Sequence, residues 1–480
     1  MIFKKSLYPS CICMILLTIP LVLSRSDFQD DMYRSTSGYT DFWFENARPL
    51  SVWLYRFLHQ GFITPDTSPL NFVLAMFIIL SSGVLIAQKI SPEHGSVPRL
   101  CIPILFMSSP FLTSILSYKY DSLTASTALL IAAIVPIYNY KKKFLDIIIG
   151  TILLVIMFCL YQPALSLMVG LMGVSLISGN RNEKTSHKIE HLTLSSIKII
   201  ISFILYKHFI ADNFLNDYYK QSGTLIELNQ NFAQSISFNI VNYSKNLSLF
   251  LLNPYIFTPT LLGLILILLD SFIFRTHRSA LLIISFILVA IGALGCNIIL
   301  RSPSFQGREM LGMPALLILI VLLLCQSKFK RFAPPVAVAI TLGVFLTNLV
   351  LSYTFLNYKD AIKDRDSLVV AAVNSSIENY GVGNINKIRI DESSFFNTKK
   401  MNVIQIAHPI ISRMIYDKGP SSTWYFRALI NEESGIDFPI SKLDTNGYNP
   451  DFRTCFTSSS LTDASLNIRF EKNCLVHNNI

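Results

Sequence analysis

Long apolar runs, each near the length needed to cross a bilayer and separated by short polar turns, decide the fold class of this chain before any other feature does. A hydrocarbon core of about 30 Å takes roughly 20 residues of helix. Runs near that length lie at about 6–23, 70–88, 100–116, 122–138, 144–160, 163–179, 192–211, 247–273, 279–299, 310–326 and 334–356. About eleven transmembrane helices are therefore expected, with Tyr161-Gln162-Pro163 separating two runs that are either a kinked pair or a re-entrant hairpin. With 51% hydrophobic residues, 15% charged residues and a mean hydropathy of +0.47, the sequence is too apolar for a water-soluble chain of this length. The expected class is an all-α polytopic membrane protein.

The net charge of +10 raises the question of nucleic acid, but Lys and Arg fall in short clusters between apolar runs, as the positive-inside rule requires. No nucleic-acid partner is expected. Placing the N-terminus in the cytoplasm puts Lys141 to Lys143, Arg181 to Lys188, Arg275 to Arg278 and Lys328 to Arg331 on that side, and the C-terminus on the other. The first outer loop is then 24–69, and the polar residues best suited to chemistry collect on the outer face. Cleavage of residues 1–24 as a signal peptide is the competing reading, and it leaves that loop outside as well. After residue 356 the composition becomes polar; Lys387 to Ile390 and Val403 to Ile406 alternate as strands do, so 357–480 is expected to be a small extracytoplasmic α/β domain. Six of the eight cysteines sit in apolar runs, without metal-ligand spacing, while Cys455 and Cys474 in the tail are candidates for a disulfide. No zinc site and no cofactor are expected, and the residues leave a metal requirement open.

Five stretches carry the candidate chemistry. Asp30-Asp31-Met32-Tyr33-Arg34 directly follows the first run, and its carboxylates are either a catalytic pair or a solvated interfacial pair. Adjacent side chains diverge by about 100° on a helix, so only one of Asp30 and Asp31 can face a given reacting atom. Arg48-Pro49 turns into an amphipathic interfacial helix, flanked by Trp43, Trp53 and Tyr55 as head-group aromatics, and Arg48 suits a two-pronged phosphate contact. Tyr118-Lys119-Tyr120-Asp121 is a complete turn between two spans; Asp121 is a site carboxylate or an N-cap for the helix starting at Ser122. Tyr161 and Gln162 mark the break before Pro163. Arg301 to Glu309 sets Arg301 and Arg308 across a Pro/Gly turn with Gln306 and Glu309, a candidate phosphate clamp. The loop 212–246, rich in Asn, Gln and Tyr, suits a neutral sugar chain, and the scattered histidines His59, His208 and His408 are assigned structural or surface roles.

Taken in order, the basic start, one span, Asp-Asp-x-Tyr-Arg, Ala-Arg-Pro-Leu, Ser-Tyr-Lys-Tyr-Asp-Ser and Tyr-Gln-Pro resemble the GtrII-type O-antigen glucosyltransferases, the serotype-converting enzymes of prophages. The resemblance runs over about 1–310, with Ala47 standing where the pattern has glycine. It implies a GT-C-like glycosyltransferase in the bacterial inner membrane that takes glucose from undecaprenyl-phosphate glucose and passes it to a sugar of the lipopolysaccharide O-antigen. It also implies two functional partners, a glucosyl-lipid flippase and a cytoplasmic glucosyl-lipid synthase. The catalytic carboxylate would be Asp30 or Asp31, supported by Arg34, Arg48, Lys119 and Asp121. The alternatives are a related transferase with another acceptor, such as lipid A or a protein, and a transporter of the lipid-linked sugar.

Overall fold

The computed structural model describes residues 2–24, 29–91, 96–138, 142–178, 185–228, 230–274, 279–391, 397–415, 430, 439–443, 449–453 and 457–470. Cys455, Cys474, Lys141, Arg181 and the basic cluster at 275–278 lie outside the described residues, as does the side chain of Tyr33. The chain divides into two compact units. Met1–Leu23, Thr40–Tyr353 and Arg413–Ile415 form the first, and Ser24–Tyr39, Thr354–Ser412 and Tyr416–Ile480 the second.

The first unit is helical. Among the described residues, five helices are long and apolar enough to cross a membrane: Leu70–Ile90, Lys143–Leu160, Thr185–Phe214, Pro254–Ile273 and Ala333–Tyr380. A sixth is gained if Ser96–Met107 and Pro110–Leu116, bent by 50°, count as one span. Eleven spans are not shown: Ile2–Leu23 is a 22-residue helix, but further apolar segments form shorter ones, such as Asp121–Ile134 and Met313–Gln326. Polar turns cut them short: the 14 residues of Met313–Gln326 rise about 21 Å at 1.5 Å per residue, less than the hydrocarbon thickness. That helix is apolar all round, and Leu317, Ile318, Leu319, Val321, Leu322 and Leu323 are fully buried, which makes it the axis of the unit.

Two further expectations are corrected. The stretch 212–246 is not one outer loop, because helix Phe232–Leu251 occupies its second half. The apolar run at 247–273 is likewise divided, with its long helix beginning at Pro254. Proline lacks an N–H and fits the first turn of a helix better than its interior, so the chain breaks at Asn253 and restarts.

Small residues bring three helices close together around the end of the Tyr161-Gln162-Pro163 break. A methyl group on Gly292 would lie 2.6 Å from the Gly170 N, and one on Gly170 would lie 2.7 Å from the Ala315 Cβ. Only glycine permits backbones to approach so closely, as is common between membrane helices. The consequence for the site is positional: in the same crossing Ser166 donates to the Glu309 carbonyl at 3.2 Å.

In the second unit, strands β1 (Lys387–Asp391), β2 (Ile440–Lys442), β3 (Phe452–Arg453), β4 (Thr457–Thr462) and β5 (Ser465–Phe470) form a sheet in the order β2-β1-β5-β4-β3. The pairs β1/β2 and β1/β5 are parallel, with Ile388 opposite Ile440 and Leu466; β4/β5 and β3/β4 are antiparallel. Asp463 and Ala464, both at positive φ, make the two-residue turn between β4 and β5. Val369, Val373 and Ile377 recur every fourth residue on the long helix Ala333–Tyr380 and pack with Ile388, Ile390, Leu466 and Ile468 in the core. Lys387 to Ile390 is a strand, as its alternation predicts. Val403 to Ile406 is not: it lies in helix Lys399–Ala407, whose Thr398 cap accepts from the Met401 N–H at 3.2 Å. The cap outweighs a four-residue alternation.

Candidate functional site

Each predicted stretch of the first unit falls at a helix break, and there the backbone geometry sets the side chains. Ala47 has φ 57, in the left-handed region that glycine favours. The glycine expected before Arg-Pro would adopt this turn without the strain that alanine bears. From that turn Pro49 begins helix Pro49–His59, with Arg48 at the cap. The Arg48 guanidinium is fixed on three sides: Nε donates to Gln162 Oε1 at 2.9 Å, Nη1 to Asp121 Oδ1 at 3.3 Å, and the plane lies 4.6 Å from the Tyr161 ring centre. Asp121 also accepts from Trp43 Nε1 at 3.2 Å.

Asp121 is therefore not an N-cap: Tyr120 holds that position, and Asp121 is the first residue of helix Asp121–Ile134. The partial positive charge of a helix N-terminus favours a carboxylate there. Trp43 is not an interfacial aromatic either, since it is fully buried with Val52, Tyr55 and Tyr120, whereas Trp53 is exposed. An indole buried beside a carboxylate satisfies both polar groups.

Tyr161 is the hub. Its ring carries Arg48, and its hydroxyl donates to the Arg308 carbonyl at 3.4 Å. Burial pushes its phenol up to about 12 against the opposing pull of the Arg308 and Arg48 charges. Gln162 bridges outward, donating to the Asn46 carbonyl at 3.1 Å and to the Tyr206 hydroxyl at 2.7 Å; that hydroxyl donates in turn to the Ala47 carbonyl at 3.0 Å. Arg308 lies 5.1 Å from the Tyr118 ring centre. Its neighbour Glu309, largely buried, accepts from the Tyr243 and Ser304 hydroxyls. Gln306 caps the short turn that carries both, its carbonyl accepting from the Glu309 N–H at 3.1 Å.

Four expected residues sit differently. Lys119 is tied to Asp66 at 2.8 Å, an ion pair that the sequence did not reveal because Asp66 lies 53 positions away. Burial raises the Asp66 carboxyl, but the bonds from Lys119 and Ser68 more than offset this and hold it below the ordinary carboxylate value. Arg301 is exposed and pairs with Glu227 at 3.6 Å, while the Arg308 guanidinium lies over the Tyr118 ring. In the second unit Asp30 and Asp31 occupy the nine-residue helix Gln29–Ser37. Asp31 is buried and pairs with Arg34, one turn on, at 3.7 Å; Asp30 is half-buried.

Tyr206, Tyr243, Asp66 and Ser304 are the polar partners missed from sequence. The signal available was spacing: Asn239, Tyr243 and Asn246 recur at i, i+4 and i+7 on helix Phe232–Leu251, a polar stripe facing the 298–309 loop.

The profile of the glucosyl transferase GtrII family matches residues 20–348, well over half of the chain. The chain belongs to the GtrII family. The matched segment contains Arg48, Asp121, Tyr161, Gln162 and Glu309. This GtrII-family chain is also 30% identical over 236 residues to a 55.3 kDa protein from the gtrB 5′ region of Salmonella phage P22, covering 49% of this chain and 48% of that protein. The chain thus aligns with about half the length of that relative. No solved structure matches.

Proposed function

We propose that this GtrII-family membrane protein transfers glucose from undecaprenyl-phosphate glucose to a sugar of the lipopolysaccharide O-antigen. The transfer takes place on the periplasmic face of the inner membrane and inverts the anomeric carbon. The family supports the sugar and the reaction class. The observation that carries the reading is Arg48, held over the Tyr161 ring by Gln162 and Asp121, with the Arg308 carbonyl bonded to the same tyrosine's hydroxyl.

Glycosyl transfer from a lipid phosphate needs cations at the departing phosphate and a carboxylate at the attacking hydroxyl. Arg48, oriented by Gln162, Asp121 and Tyr161, makes no bond through Nη2 among the described residues, so that edge is available to a phosphate oxygen. Asp121 is assigned the role of orienting Arg48. The base is assigned to Asp30 or Asp31. A flippase and a cytoplasmic synthase supply the glucosyl lipid.

The test is O-antigen composition and linkage in a host that makes the glucosyl lipid, with and without this gene. A new glucosyl branch is expected. An unchanged O-antigen, with the protein present in the membrane and donor available, would overturn the reading.

A further inference from the structure

Glu309 is held in an unusual way for a largely buried carboxylate. It accepts from the Tyr243 hydroxyl on Oε2 and from the Ser304 hydroxyl on Oε1, and among the described residues it has no cation within ion-pair distance. Its neighbour Arg308 turns the other way, to the Tyr118 ring. The surroundings are built for this group. Gly295, at φ +93, lets the chain pass so close that a Cβ there would lie 2.8 Å from the Glu309 carbonyl. Asn239 donates to the Ile298 and Leu300 carbonyls at 2.9 Å each, Asn246 to the Phe305 carbonyl at 2.8 Å, and the Tyr243 ring packs 5.1 Å from Phe305. Tyr243 is fully buried, whereas Ser304 is exposed. The carboxylate is therefore anchored by a buried hydroxyl on Oε2 and by an exposed residue's hydroxyl on Oε1.

A buried carboxylate without a counter-ion is costly unless hydroxyl or amide donors surround it. Its two oxygens offer about four acceptor positions, of which protein hydroxyls fill two. We propose that Glu309, with Ser304 on Oε1 and Tyr243 as its positioning residue, is a sugar subsite that accepts hydrogen bonds from the hydroxyls of a neutral hexose. A phosphate would be repelled by the same charge. The inference rests on the glucosyl-transfer reading, and the hexose is either the acceptor sugar or the glucose of the donor.

The experiment measures transfer by membranes carrying the full chain, with donor and acceptor varied separately, for wild type, Tyr243→Phe, Ser304→Ala and Glu309→Gln. Tyr243→Phe keeps the ring against Phe305, so it serves as the variant that folds. Glu309→Gln is expected to raise one KM about tenfold or more, the effect of losing hydrogen bonds to a charged group. Tyr243→Phe and Ser304→Ala should raise the same KM by less. A rise in acceptor KM assigns the subsite to the acceptor, and a rise in donor KM assigns it to the donor glucose. If wild type transfers glucose and all three variants keep both KM values, the subsite is refuted while the activity stands. If wild type membranes supplied with both substrates transfer no glucose, both readings fall.

Discussion

The contact between Arg48 and Asp121 can be tested on its own. At 3.3 Å and an effective dielectric of about 20, the gross attraction is about 5 kcal/mol. Most of it is offset by desolvation, since the Asp121 side chain is 4% exposed and that of Arg48 19%. A net coupling on the order of 1–3 kcal/mol remains, or about fivefold to about 150-fold in a rate that depends on it. The perturbations are Arg48→Met, which keeps length without charge, Asp121→Asn, which keeps shape and can still accept from Trp43, and the double variant. Each single variant leaves the other charge in a poorly solvated place, so the double variant should be less impaired than the two single losses combined. The assay is the initial rate of glucosyl transfer at saturating donor, normalised to protein in the membrane, with thermal melting in detergent alongside. If the single effects add to within about 0.5 kcal/mol in both readouts, the two groups act independently, and the placement of Arg48 by Asp121 is wrong.

Three other outcomes are expected. Because only one of Asp30 and Asp31 can be the base, Asp30→Asn or Asp31→Asn should lower the transfer rate by about a hundredfold or more while the protein still reaches the membrane; near-normal rates in both would move the base elsewhere. Asp66 has a folded pKa below its unfolded value, so its stabilising effect is complete above about pH 4 and is lost as pH falls through the folded value. Melting temperatures of wild type and Asp66→Asn should therefore converge in strong acid, and a constant difference at every pH would exclude the linkage. Lys198 and Asp146 pair at 2.6 Å, 1% and 4% exposed, between two apolar helices; Asp146→Ala should destabilise by about 3–5 kcal/mol, whereas replacing both by apolar residues should recover much of it, and equal melting points for single and double variants would argue against the pair.

Much of the fold was legible because hydrophobic run length and alternation are strong signals. The long helices fall where apolar runs lie, and Lys387 to Asp391 is a strand. What was illegible is where a helix is broken, since one proline or a short polar turn shortens an apolar run without changing its composition. Met313–Gln326 shows this: its run is apolar enough to span, but its 14 helical residues follow the Gly307–Glu309 turn and end at Ser327. The 212–246 stretch shows the opposite error. Its Asn and Gln content suggested a loop, but Asn239 and Asn246 face the carbonyls of the 298–309 turn from a helix, where polar side chains are satisfied by neighbours that sequence does not identify.

The same breaks explain why the site was partly legible. A helix end leaves backbone carbonyls and N–H groups without intrahelical partners, and inside a largely apolar unit these must be met by side chains. Here they are: the Lys119 carbonyl accepts from Tyr55 and Asn71, Leu160 from Ser51, Ala47 from Tyr206, and Asn46 from Gln162. The polar residues that stand out in an apolar sequence are therefore of two kinds, those that present charge and those that satisfy a broken backbone. Sequence alone marks both but does not sort them. Gln162 belongs to both kinds, because one end meets the Asn46 carbonyl while the other holds Arg48, so the repair of the helix break is also what aims the guanidinium. Moving Gln162 would therefore leave the Asn46 carbonyl without its donor and release the Arg48 guanidinium in one step.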